Sequence, residues 1–454
     1  MGKSVLNSFF KFILLCGSAL CFNACVSENS TVTVNENDPA TTFSNEFKYN
    51  YILLRYLYID QDKYLGEPED YIDKIDPDVF DGYDIPWDYY DIYYMYSQMN
   101  DPYTYYVDPY HSAQSIRAIS VSEQLMDAGF EWTFDESTGK FTVKSVTKNA
   151  PADKAGLKVG DRITAIEGIV PTNETTFERL SRSIEGDTVT YTVQRDSATI
   201  EIPIVLESYY SPTVELSFRD SIPIIKIMNF IPQSSNDSGS YGEFMEFLRE
   251  TEQYKSTVID LRNNGGGDGD QCFSMAQELL SKGDSAAGVI STYRDSVSNR
   301  QAFDTTFEIN VKDGYAKDRY FVFLANGYSA SCSEVFLLSV TQNKNYPIVG
   351  TTTYGKGIGQ IFAQTPSYSL ARITAMKVID KDNNTYHKYG IEPDFNISND
   401  ELALTKAVEL AKEMTYIRTA KYGSVNTGHF AKSAVTPDTM PGFYFLPKEL
   451  RKKF

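Results

Sequence analysis

The pattern of apolar and polar positions changes character several times along the chain. Lys3 and Lys11 precede an apolar run, FILLCGSALCF at 12–22, which suits a secretory leader and is too short to span a bilayer. Residues 26–42 are polar and without periodicity, which predicts a flexible tether. Over 43–120 apolar and aromatic positions recur at helical spacing in a Tyr- and Asp-rich stretch, so short packed helices are expected. A tyrosine stripe of this kind reads as core or partner surface rather than a cofactor box. From about 121 to 208 the period shortens to two, as in KFTVKSVT and TVTYTVQR, and strands are predicted. From 209 onward strand-like runs alternate with helical ones: PIIKIMNFI, YGEFMEFLRE, STVIDLR, QCFSMAQELLSK, RYFVFLANG, SEVFLLSVTQNK. That alternation predicts an α/β core, closed by a helix near 400–417. The resulting boundaries are a leader at 1–24, a tether at 25–42, a helical region at 43–120, a β-rich module at 121–208, the α/β core at 209–418 and a tail at 419–454.

Composition adds limits. A chain of 454 residues needs two or three cores, and 42% hydrophobic residues can fill them. The net charge of −19 argues against nucleic acid or an anionic lipid surface as partner. The five cysteines fit neither a disulfide framework nor zinc-ligand spacing. Cys25 follows Asn23 and Ala24 in a stretch that resembles a bacterial lipobox. The reading is cleavage before Cys25 and lipidation of its sulfur, which places the protein in the cell envelope, facing periplasm or cell surface. An ordinary signal peptide cut nearby is the alternative. So acidic a body would depend on acyl chains to stay on a membrane.

Three stretches carry chemistry. In STVIDLRNNGGGDGDQC, 256–272, a buried strand runs into three glycines whose N–H groups could line an oxyanion hole, or simply make a tight turn. A phosphate cradle lacks its Gly-Lys-Ser/Thr signature. In YSASCSEVF, 328–336, Ser329, Ser331, Cys332 and Ser333 precede an apolar helical run. Ser331 with Glu334 fits a capping box, which needs no catalysis. It also places a hydroxyl at the positive end of a helix, where an oxyanion can be held. In YPIVGTTTYGKGIGQ, 346–360, Lys356 stands between Gly355 and Gly357, on a turn that can be drawn against other backbone. None of the three histidines, His111, His387 and His429, falls in these motifs. Lysine is therefore the candidate base. A neutral lysine can take a serine proton, which requires its ordinary pKa near 10.4 to fall by roughly 3 units.

On these residues the chain resembles the C-terminal processing peptidases, or tail-specific proteases, a serine-peptidase family with a Ser-Lys dyad. DLRNNGGG at 260–267, SASCSE at 329–334, GKGIGQ at 355–360 and a PDZ-like NAPADKAGLKVGDRITAIEG at 149–168 carry the resemblance, which covers roughly 45–415; DPYT at 101–104 and GIEPD at 390–394 also match. It implies Ser331 as nucleophile, Lys356 as base 25 positions later, Gln360 in support, and oxyanion donors from the backbone of Cys332 and of a glycine in 265–267, Gly266 foremost. Cys332 stands where the family usually has alanine. Gln342 stands where some members carry aspartate. DAGFEW at 127–132 resembles a carboxylate-binding loop centred on Gly129 and Phe130, able to take a free C-terminus while the peptide adds as a strand. A packing module without ligand is the plainer reading of the same stretch.

The expectation is thus an α/β protein with the stacked ββα spiral of that family and of crotonase-like folds, a PDZ-like β-rich domain and a helical N-terminal segment. It would be a lipid-anchored serine endopeptidase cutting proteins near their C-termini. Its partners would be protein or peptide substrates with free C-termini and, through the lipid, a membrane, with no nucleic acid, cofactor or metal. The rival is an inactive lipoprotein scaffold that only binds protein tails.

Overall fold

The computed structural model describes residues 43–74, 87–181, 184–295 and 298–414. The leader with Cys25, the tether and the tail lie outside the described residues. The chain forms two compact units, one of residues up to 112 with 362–373, the other of 113–361 with residues from 374 onward.

The first unit contains the expected helices, among them Asn45–Leu57 and Trp87–Ser97. Ser44 caps the former by accepting the Phe47 N–H at 3.1 Å. The tyrosine stripe is core: Tyr58, Tyr71, Tyr90, Tyr93, Tyr96 and Tyr106 are all buried. The Tyr93 ring meets Tyr106 edge-on at 5.2 Å. The region is not purely helical. Tyr105–Val107 is a strand, paired antiparallel with residues 370–372.

The second unit holds two distinct sheets of interest. An antiparallel sheet orders Phe130–Asp135, Lys140–Val146, Arg162–Ile166, Thr188–Arg195 and Ala198–Val205 side by side. Its inward residues Phe141, Tyr191 and Val193 pack with Phe177 of the Glu174–Ser181 helix. Phe130–Asp135 is an edge strand. The chain enters and leaves this module through a small ribbon, Gln124–Leu125 paired with Tyr209–Tyr210.

The six-stranded sheet runs Phe395–Asn396, Ile348–Gly350, Tyr320–Ala325, Ser256–Asp260, Ile222–Ile227, Val214–Arg219. Only its last pair is antiparallel. Both faces are covered, which explains the near-continuous apolar strands. Ile259 and Phe323 face the helices Gly239–Glu250, Gly269–Gln277 and Cys332–Thr341. Val258 and Val322 face the Asp400–Glu413 helix on the other side. All ten residues of Cys332–Thr341 are buried. Its apolar run therefore marks a central helix, and its N-terminus is fixed by packing on every side.

Candidate active site

The site forms where the Ser256–Asp260 and Tyr320–Ala325 strands end next to each other. Asn264 is fully buried and organises the turn after the first strand. Its side chain donates to the Ile227 carbonyl at 2.9 Å and accepts the Gly266 N–H at 2.8 Å. Its own carbonyl accepts the Ala330 N–H at 3.0 Å and the Ser333 hydroxyl at 2.9 Å. The glycine run and the serine run are thereby stitched together. Gly266, at φ +112°, lies so close that a Cβ there would stand 2.8 Å from the Ser331 Cβ and 3.0 Å from the Cys332 nitrogen. No side chain fits at that position.

The four nucleophile candidates separate cleanly. The Ser329 hydroxyl donates to the Leu261 carbonyl at 2.8 Å and is buried. Ser333 is held by Asn264. The Cys332 thiol donates to the Gly267 carbonyl at 3.2 Å and belongs to the hydrophobic core. Ser331 differs. It is partly exposed and sits at φ +55°, ψ −116°, a backbone conformation unusual for any residue with a side chain. The capping-box pattern with Glu334 is present, and its firm limb is the carboxylate, which accepts the Ser331 N–H at 2.9 Å; no side-chain hydrogen bond caps the helix.

Glu334 is the joint of the site. It is fully buried. Besides Ser331, its carboxylate accepts the Thr353 hydroxyl at 2.6 Å, the Gly355 N–H at 2.7 Å and the Lys356 N–H at 2.8 Å. Burial pushes its carboxyl up to about 7 although these four donors favour the charged form. One carboxylate thus holds the Ser331 and Lys356 backbones in a common frame. The Tyr354 N–H adds a bond to the Ser329 carbonyl at 3.0 Å. Sequence reading took Glu334 for a local cap and missed Thr353 and Asn264 altogether. The buried environment of the SEVFLLSV run was the one available hint.

Lys356 is buried, as its glycine neighbours suggested. A Cβ on Gly355 would lie 2.8 Å from the Gly390 nitrogen, and one on Gly357 would lie 2.9 Å from the His387 nitrogen. Segment 387–390 lies over the lysine turn, so a histidine does stand beside the motif in space although it is distant in sequence. Gln360 lies on Ile358–Gln364 and donates to the Thr374 hydroxyl at 3.3 Å. Gln342 caps the far end of the Cys332–Thr341 helix and bonds the Ser285 carbonyl at 2.8 Å, which is a structural task.

Two expectations need revision. The Gly266 N–H points at Asn264, so this glycine supplies clearance rather than an oxyanion donor. In the small module, the Gly129 N–H is engaged by the Asp127 carboxylate at 2.7 Å, which also accepts the Tyr209 hydroxyl at 2.8 Å. Phe130 is partly buried and packs edge-on against Tyr191 at 5.4 Å, as part of the module core. Among the described residues there is no cluster suited to a metal ion and no helix long and apolar enough to cross a membrane.

Residues 221–397 match the model of peptidase family S41, and residues 129–206 match a PDZ domain. A probable CtpA-like serine protease of Staphylococcus haemolyticus is 26% identical over 93% of this chain and 80% of its own length. One of Staphylococcus aureus is 25% identical over 94% and 82%. Among solved structures, a photosystem II D1 C-terminal processing protease is similar at 20% identity, with a TM-score of 0.47 over 82% of this chain and 97% of that one. The chain thus carries a serine peptidase domain matching family S41 over 221–397, with a PDZ domain ahead of it over 129–206.

Proposed function

We propose that this peptidase cuts protein substrates near their C-termini through a Ser331–Lys356 dyad. The observation that carries the reading is the Glu334 carboxylate, which ties both backbones to one buried point. The Lys356 amine, neutral when active, takes the Ser331 proton as Oγ attacks the scissile carbonyl. The oxyanion is met by the Cys332 N–H, the first of a helix and without an intrahelical acceptor. Gly266 leaves room for the Ser331 turn, and Gln360, on the strand that follows the lysine, supports Lys356. Acyl transfer to Ser331 and then to water completes the cycle with no cofactor.

The PDZ domain takes substrate tails as an added strand along the free edge of Phe130–Asp135. A tail carboxylate competes there with Asp127 for the Gly129 N–H. A lipid on Cys25 holds the enzyme at the cell envelope. Cys25→Ser is expected to move it from the membrane to the soluble fraction, and unchanged partitioning would refute the anchor.

The decisive test of the dyad is Lys356→Arg. A guanidinium keeps the positive charge but stays protonated at any usable pH and cannot act as base. Its kcat/KM across pH 6–10 is expected to be as low as that of Lys356→Ala. Substantial activity in the arginine variant would rule the dyad out.

A further inference from the structure

A cavity of about 800 Å³ has no task in the chemistry described so far. Its size is that of a ligand site. Ser211 and Thr213 line it, just past the ribbon through which the chain enters and leaves the PDZ domain. Met228, Asn229 and Ile231 line it from the end of the Ile222–Ile227 strand. These last residues adjoin the glycine run of the active site. Between them, Phe230 donates its N–H to the Gly266 carbonyl at 3.1 Å and accepts the Asp268 N–H at 2.7 Å. A Cβ on Gly267 would stand 2.8 Å from the Asn229 Oδ1. The cavity thus has PDZ ribbon on one wall and the neighbours of Gly266 on another.

A slack crevice between two domains is the plainer account, and the walls argue against it. Glu243 is buried and accepts the Thr213 N–H at 2.7 Å, the Val214 N–H at 2.8 Å and the Ser234 hydroxyl at 2.6 Å. Ser240, fully buried, accepts the Ile231 N–H at 2.8 Å and donates to the Asn229 carbonyl at 3.0 Å. Both walls are therefore pinned from behind by one helix, Gly239–Glu250, as a preorganised site requires. The Asn229 Oδ1 accepts the Phe230 N–H at 2.8 Å, which fixes the amide and leaves its nitrogen without a hydrogen-bond partner among the described residues.

We propose that this cavity holds the substrate residues that follow the scissile bond, as an extended segment with uncharged side chains, and that Asn229 donates to a carbonyl of that segment. The inference rests on the proposed roles of Ser331 and of the PDZ edge. A tail held by its C-terminus reaches the nucleophile only through the residues that precede it, and the cavity adjoins both ends of that path. Its walls are neutral: hydroxyls, one amide and the apolar Met228 and Ile231. The charged groups that line it, Arg117 and Glu123, are exposed and of opposite sign. A charge carried inside would lose its water without a dedicated partner.

The test uses the full chain and two probes. One is a casein peptide spanning a bond the enzyme cuts, located by mass. The other is the 4-nitroanilide of the same sequence ending at that bond, so that no residue follows it. Asn229→Asp keeps the acceptor for the Phe230 N–H and removes the donor. Ser211→Phe fills the cavity from the ribbon side, and its backbone bonds to Glu123 and Ser122 can stay. Each variant is expected to lower kcat/KM for the peptide at least tenfold relative to the nitroanilide, chiefly through KM. Placing aspartate or lysine just after the cut bond is expected to cost the parent enzyme as much. The proposal is overturned if both probes lose equally, if the ratio stays that of the parent, or if the charged peptides are cut as well as the neutral one. The labelled fragment from the C-terminal side of the cut is expected to bind Ser331→Ala at least tenfold more tightly, by fluorescence anisotropy, than it binds that protein carrying Asn229→Asp. This reading needs no cleavage, so failure of the dyad leaves it intact, whereas equal binding refutes the cavity assignment alone.

Discussion

Two carboxylates in this molecule do superficially the same thing and differ in what they hold. Asp127 accepts the N–H of a residue two positions away and one tyrosine hydroxyl. Glu334 accepts donors from positions 331, 353, 355 and 356, and no water reaches it. The first is a local clip on a loop at a module edge. The second is a joint between two segments of a core, and it carries an electrostatic cost that a loop clip avoids. The difference lies in what each loss would undo: the clip orders one loop, whereas the joint holds two segments of the peptidase core together.

Removing the reacting atom should have the largest effect. Ser331→Ala is expected to lower kcat/KM by on the order of 10⁴-fold or more, with folding intact, since no side-chain cap of the helix is lost with the hydroxyl. If that variant stays active while Cys332→Ala does not, the enzyme is a thiol peptidase. Ser331→Gly should be equally inert, and more stable than alanine by about 1 kcal/mol in chemical denaturation, because glycine enters φ +55°, ψ −116° without a Cβ clash.

The joint comes next. Glu334→Gln keeps the shape but turns an acceptor edge into a donor facing other donors. A dyad displaced by about 1 Å can lose on the order of 100-fold in rate. Each unsatisfied donor adds about 1–3 kcal/mol of instability. The buried carboxyl also sets a pH dependence. Its folded value, about 7, lies above the ordinary 4.5. This group therefore adds stability below about 4.5, and that contribution is lost as pH rises through 7. Between pH 5 and 8 the Ser331→Ala protein should lose roughly 3 kcal/mol more than the same protein carrying Glu334→Gln. Parallel curves would mean that Glu334 is charged throughout.

The clip should give the smallest effect. Asp127→Ala frees the Gly129 N–H and removes a negative charge from the path of an incoming carboxylate. For a protein substrate with a free C-terminus KM should fall by about threefold, under 1 kcal/mol, with kcat unchanged. A short peptide that bypasses the PDZ domain should not notice. Equal effects on both substrates would show that the loop takes no tails. Phe130→Asp is a poor probe of the same question, because Phe130 helps to fill the module core.

The contrast between clip and joint also explains what the sequence disclosed. The parallel core was legible because fully buried strands such as Ser256–Asp260 read as unbroken apolar runs. The glycines around Lys356 were legible as a demand for close approach, but not the identity of the backbone that approaches, 387–390. Contacts within a motif could be read. Contacts between motifs could not, and Glu334 looked like a cap because its other three partners lie 19 to 22 residues away. The Tyr105–Val107 strand escaped because three residues carry no period and their partner lies some 265 positions later. The Asp127 clip was local and was still missed, since the DAGF pattern directs attention to its glycine rather than to the acid before it.

The left-handed backbone of Ser331 has a consequence for descent. A serine held there costs on the order of 1–3 kcal/mol that glycine does not. A lineage released from the need to cut proteins would therefore drift downhill at this codon, toward a sturdier and silent descendant. Keeping the hydroxyl runs against that slope, and the proposed role of Ser331 as nucleophile would account for it.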